Sequence, residues 1–187
     1  MALSYLTKQL LPEEAMTKWI GAILIIGISS LTGFFYAQKF TDRCYILKLW
    51  LRIIDIFQTE IYFEARRLPE VFRRAASLLQ DRRFSNAFIK LMQSLEFGTD
   101  GDFKTAWGLF LVETGEGVLV KEDFLVLYDL GNYLGSTDRL DQLAKLKTCH
   151  ASLTLNLQSA EHDRNKQTRI YRYLGFAIGA ITVLWLI

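Results

Sequence analysis

Proline is almost missing: the 187 residues contain two, Pro12 and Pro69, where average usage of about 5% would give roughly nine. So few breakers leave room for long uninterrupted helices and argue against a turn-rich all-β fold. Cysteine is as scarce. Cys44 and Cys149 cannot build a disulfide framework and lack metal-ligand spacing, which fits a reducing compartment. Histidine is confined to His150 and His162, and the Glu-x-x-His pair of a di-iron bundle is absent. The sequence carries no phosphate-binding glycine loop of the G-x-x-x-x-G-K type, no G-x-S-x-G elbow and no Cys–His signature. A strong charge of one sign is also lacking, and a net +2 is too small to signal nucleic acid. Together these absences point away from an enzyme, a cofactor and a bound metal.

What is present is apolar. The hydrophobic fraction is 51% and the charged fraction 22%, which excludes intrinsic disorder yet does not describe a polytopic transporter. From Trp19 to Gln38 twenty residues carry no charge, between Lys18 and Lys39. At 1.5 Å per residue this spans about 30 Å, the thickness of a bilayer's hydrocarbon core. Trp19 at one edge and Phe34, Phe35 and Tyr36 at the other suit interfacial anchors. A secretory signal is the rival, but the run is long, starts late and lacks an A-x-A site. A second charge-free run, residues 173–187, reaches only about 22 Å, so Arg172 would have to snorkel. The expected domains are a leader at 1–17, a first span at 18–38, a helical domain at 39–172 and a second span at 173–187. Ser29-x-x-x-Gly33 and Gly175-x-x-x-Gly179 are the faces on which the two spans would pack. Inner flanks hold eight Lys or Arg residues, from Lys39 to Arg52 and from Arg164 to Arg172, against Lys8 and Lys18 outside. The expectation is a cytosolic middle with both termini on the opposite side.

The middle shows helical rather than alternating periodicity, so the expected fold is all-α: an elongated bundle of about six helices flanked by the two spans. The first helix is expected to run on to Arg67, with Lys48, Arg52, Asp55 and Thr59 as a narrow polar stripe on an otherwise apolar rod. Pro69 then opens a turn into the next helix. Shorter helices follow around Val71–Leu79, Phe84–Leu95, Phe103–Leu111 and Phe124–Leu130, the last closed by Gly131–Gly135. The final helix begins at Ser136-Thr137-Asp138, good capping chemistry. Its Leu143, Leu146, His150, Leu153, Leu157 and Ala160 form a seam suited to bundle packing or to a homo-oligomeric coiled coil. His150 on that seam reads as a core histidine.

Two polar features invite a role. Glu60 lies on the apolar side of its helix and needs an arginine or helix-N-terminal partner if buried. Glu60 and Glu64 are the sole hint of acid–base chemistry, and nothing near them completes a site. The pairs Arg66-Arg67 and Arg73-Arg74 are candidates for docking an acidic protein partner.

The order of several short motifs resembles the stage III sporulation protein AB family. They are Trp19-Ile20-Gly21-Ala22, then Thr59-Glu60-Ile61-Tyr62 with Leu68-Pro69-Glu70, then Ala106-Trp107. The most specific is Leu130-Gly131-x-x-Leu134-Gly135-x-Thr137-Asp138-x-x-x-Gln142, and Tyr171-x-x-Leu174-Gly175 closes the series. The resemblance implies structural roles for Thr59, Glu60, Tyr62, Pro69, Trp107, Gly131, Gly135, Asp138 and Gln142. It also implies a non-catalytic platform in the mother-cell membrane around the forespore, similar to the inner-membrane platform of type II secretion systems. Such a platform would link a cytosolic secretion-type ATPase to membrane ring proteins. The alternatives are a generic oligomeric membrane scaffold outside sporulation, or a small membrane enzyme using Glu60 and Glu64.

Overall fold

The computed structural model describes residues 13–62, 64, 66–97, 102–134 and 138–186. Among them are six helices and no strand: α1 (Glu13–Tyr62), α2 (Leu68–Leu78), α3 (Arg82–Phe97), α4 (Phe103–Gly115), α5 (Lys121–Tyr133) and α6 (Arg139–Leu186). The all-α expectation holds. The leader up to Pro12, Gly98–Gly101 and Gly135–Thr137 lie outside the described residues. The chain divides into two compact units, Met1–Thr41 with His162–Ile187, and Asp42–Glu161.

In the first unit, parts of α1 and α6 meet through backbone rather than through large side chains. A Cβ at Gly33 would fall 2.5 Å from the Tyr171 carbonyl oxygen, and one at Gly175 would fall 2.8 Å from that of Ser29. Gly179 faces the Ile26 backbone and the Ser29 Cβ. The Ser29 hydroxyl donates to the Gly175 carbonyl at 2.5 Å, replacing a contact that solvent would otherwise make. Tyr171 stacks on both Tyr36 and Phe40, each at 5.9 Å between ring centroids. Large side chains turn away: Trp19, Ile23, Phe35, Phe176, Ile181, Leu184 and Trp185 are all exposed. One helix, α1, is long and apolar enough to cross a membrane, a property it shares with signal sequences. The stretch of α6 from Tyr173 to Leu186 falls short of that measure, because its charge-free part is only about 21 Å long.

The second unit is a bundle around an aromatic core. Trp50, Phe57, Phe72, Phe84, Phe88 and Trp107 are fully buried, and each such burial stabilises the fold by about 1.5–3 kcal/mol. Their rings meet edge-on or stacked: Trp50 lies 5.7 Å from Phe84 and from Phe110, and Phe88 4.6 Å from Phe110. The Trp50 indole N–H has no hydrogen-bond partner in this core. Trp107 donates instead to the Leu127 carbonyl at 2.9 Å. Its indole fills the space beside Gly131, where a Cβ would come within 2.2 Å of the ring. Gly131 therefore serves packing from within the last turn of α5, and the helix ends at Tyr133, inside the expected 131–135 stretch. The Leu134 N–H there returns to the Leu130 carbonyl.

Two expectations are corrected. Helix α1 ends at Tyr62, not Arg67. The Arg66 N–H folds back to the Glu60 carbonyl at 3.2 Å, and Arg67 is already extended as the N-cap of α2. Pro69 therefore stabilises the first turn of α2 and is not the stop of α1. On α6 the fully buried positions are Leu146, Cys149, Leu153 and Ala160. His150 is displaced to the edge, its side chain 37% exposed and 3.4 Å from the Asp55 carboxylate; Cys149 occupies the buried place. Leu146 and Leu153 are spent inside one chain's core, so they cannot form a coiled-coil seam with another.

Candidate interaction surfaces

The buried carboxylate of Glu60 organises the arginines expected to dock a partner. Arg66 Nε lies 2.8 Å from one carboxylate oxygen, without the alignment of a hydrogen bond, and Arg74 Nε lies 3.5 Å from the other. Arg66 also reaches Glu64 at 3.7 Å. Two cations thus compensate Glu60, which would be costly to bury alone. Glu60 and Glu64 are both engaged by arginines. Arg73 makes a long exposed contact to Glu96 at 3.7 Å, a pair of little energetic weight. Arg73 is more exposed than Arg66 and Arg74, which are drawn onto Glu60, and Arg67 is exposed and outside that ion-pair set.

The motif residues separate into two kinds. Glu60, Trp107 and Gly131 are buried in the contacts already described. Asp138 caps α6: its carbonyl accepts from Gln142 N–H at 2.9 Å and its carboxylate from Leu140 N–H at 3.4 Å. Pro69 and Gln142 are half-buried, and Gly135 lies outside the described residues. Thr59 and Tyr62 are exposed. The Thr59 hydroxyl donates to the Asp55 carbonyl, one turn back. Thr59 and Tyr62 share an open groove with Asp55, Gln58, Leu143 and Lys147, so the Thr59–Tyr62 motif meets the helix started by the Leu130–Gln142 motif.

One polar node was not foreseen. Asp123 is fully buried and accepts from Arg43 Nε at 2.9 Å, Arg43 Nη2 at 3.2 Å, Asn156 Nδ2 at 2.9 Å and Val120 N–H at 3.2 Å. It caps α5 while tying α1 to α6. The fork-on-carboxylate pairing is the geometry in which arginine outperforms lysine. Arg43 had counted only as a flanking charge; its charge is met inside the bundle.

Three titrations are displaced. Burial, with Asp129 nearby, pushes the Cys149 thiol up to about 12. Desolvation and the 3.1 Å hydrogen bond to Asp81 raise Tyr45. The Thr105 N–H and hydroxyl hold Asp102 below the usual carboxylate range. None lies beside a nucleophile–base pair, and no cluster of three His, Cys, Asp or Glu suited to a metal occurs among the described residues.

The described residues thus define a helical protein built for contacts, with buried ion pairs serving the fold. The family model for stage III sporulation protein AB matches residues 18–187, and the chain belongs to that family of sporulation proteins. It is 27% identical over 172 residues to stage III sporulation protein AB of Bacillus subtilis (strain 168), covering 91% of this chain and 99% of the relative. A solved structure of stage III sporulation protein AB superposes with a TM-score of 0.57 at 23% identity, covering 66% of this chain and 96% of that one. At that identity the likeness concerns the fold.

Proposed function

We propose that the chain is a non-catalytic, membrane-anchored platform of the sporulation complex joining mother cell and forespore. In this reading residues 18–38 and 173–187 both cross the mother-cell membrane around the forespore. Residues 39–172 lie in the cytosol, and both termini lie on the other side. The observation that carries the reading is the apolar shell of the first unit, turned outward around a glycine–serine contact, the arrangement lipid favours. The short second span fits if Arg172, stacked 5.7 Å over the Phe34 ring, snorkels to the interface. The bundle would hold a cytosolic secretion-type ATPase through an arginine face and pass its position to membrane ring proteins. Glu60 fixes Arg66 and Arg74 in that face, leaving Arg67 and Arg73 to meet an acidic partner.

Arg67→Glu with Arg73→Glu in sporulating cells should abolish ATPase co-purification at unchanged abundance. Unchanged co-purification removes the docking face. A C-terminal reporter should be inaccessible to cytosolic labelling; cytosolic labelling removes the two-pass topology.

A further inference from the structure

Helix α4 carries only Lys104 and Glu113 as charges in thirteen residues. A helix that apolar around its circumference should be covered on all sides. Yet Leu109 is 57% and Val112 48% exposed. Helix α5 follows in a hairpin, packed through Gly115 against Phe124 and through Trp107 against Gly131. Its outer face adds Leu125, 58% exposed, and Tyr128, 50% exposed. Helical spacing sets Leu109 and Val112 opposite the buried side of α4, and Leu125 and Tyr128 opposite that of α5, so each helix of the hairpin has an apolar outer face.

Gly108 lies beside this surface in mid-helix, where glycine destabilises relative to alanine. Gly115 and Gly131 are required by the chain's own packing, but a Cβ at Gly108 would meet nothing within 4 Å. Nothing inside this chain needs that glycine. Its missing side chain leaves a notch through which another backbone could approach closely.

Charge selects the partner. Residues 102–133 carry two lysines against six carboxylates; with the buried Asp123 held by Arg43 and Glu113 paired with Lys90, four carboxylates still face two lysines. Residues 66–97 carry seven arginines or lysines against three carboxylates. We infer that the outer face of the α4–α5 hairpin docks a helix of another protein, bearing an apolar stripe flanked by Lys or Arg. The stripe would lie on Leu109, Val112, Leu125 and Tyr128, with its closest backbone approach at Gly108. The basic flanks would meet Glu116, Glu122 and Asp129 at the rim. A second copy's basic α2–α3 face matches in charge but not in shape. Its exposed large apolar residues are Leu78 and Ile89, one on each helix, with no apolar pair like Leu109 and Val112. This surface is independent of the arginine face proposed for the ATPase.

The test uses the full chain in zwitterionic nanodiscs with a photoreactive residue at position 109 or, as a control, at position 73. The probes are two labelled eighteen-residue helices with the same leucine stripe, one flanked by lysine and one by glutamate. The lysine-flanked helix should crosslink from position 109 about tenfold more than the glutamate-flanked one, and from position 73 hardly at all. With the photoreactive residue moved to position 128, Gly108→Leu and Val112→Lys should each reduce that crosslinking about tenfold. Gly108→Ala should raise Tm by about 2–4 °C, since the new methyl group meets open space. Equal crosslinking of both helices, or no loss in Gly108→Leu with its Tm intact, overturns the proposal. Sedimentation showing self-association that Leu109→Lys abolishes also overturns it, and makes the face a contact between copies.

Discussion

The helix pair and the bundle use the same residue types in opposite places. In the pair, glycine and serine form the contact, while tryptophan, phenylalanine and leucine face outward. In the bundle, tryptophan and phenylalanine fill the interior, and Gly131 serves to seat one of them. Water drives large apolar groups inward and makes their burial the main gain. In the membrane-anchored reading proposed above, hydrocarbon offers the pair no such gain, and association depends on close backbone approach and buried hydrogen bonds. The four tryptophans divide evenly, Trp50 and Trp107 buried in the bundle, Trp19 and Trp185 exposed on the pair. Replacing Trp19 and Trp185 by phenylalanine therefore leaves fluorescence that reports on the bundle alone.

The largest effect should come from breaking the bundle's polar node. Asp123→Ala removes the buried carboxylate that accepts from Arg43, Asn156 and Val120 and should cost about 3–5 kcal/mol, read as a lower urea midpoint. Adding Arg43→Met should recover much of that loss; a loss that the second change leaves untouched would mean that the ion pair is not its source. Next, Gly131→Ala should cost about 3 kcal/mol, because its methyl group would overlap the buried Trp107 ring. A neutral Gly131→Ala would show that the tryptophan can move and that the bundle is less tightly packed than its rings suggest.

The same size of change in the helix pair should leave the bundle alone. A disulfide between Ser29→Cys and Gly179→Cys should form with a shift of a few tenths of an ångström between the helices, because a Cβ at position 179 falls 3.2 Å from the Ser29 Cβ and 2.9 Å from the Ile26 Cα. Gly175→Leu should prevent that disulfide while the urea midpoint of the bundle stays unchanged. A shifted midpoint would remove the contrast between the regions.

Smaller effects follow from titration. Cys149, raised to about 12 by burial, should resist alkylation at pH 8 until urea unfolds the bundle. Asp102 has a lowered pKa when folded, so its capping contributes above the unfolded carboxylate range and is lost as pH falls through the folded value. Asp102→Ala should slightly lower Tm at pH 7 and change nothing at pH 2, whereas Asp102→Asn should keep the cap.

Local signals were readable where one residue's chemistry decides the outcome. Asp138 announces a cap, and the charge-free run from Trp19 to Gln38 announces a helix long enough to cross a membrane. What escaped depends on partners remote in sequence. Arg43, Asp123 and Asn156 each look like ordinary surface residues, and only packing brings them together. The buried stripe of α6 slipped by one residue because Cys149 outcompetes the larger, polar His150 for an interior place. The end of α1 was hidden for a similar reason: neither glycine nor proline marks it. Arg66 turns back to Glu60 instead.

The Asp123 node also bears on the order of events during synthesis. Arg43 is separated from Asp123 by 80 residues, and Asp123 from Asn156 by 33. At about 5–20 residues per second, Arg43 is made roughly 6–23 seconds before Asn156. The aromatic partners of Trp50, Phe84, Trp107 and Phe110, are made within that interval, so core packing starts before the node is complete. Closure of the node then commits α1, α5 and α6 together.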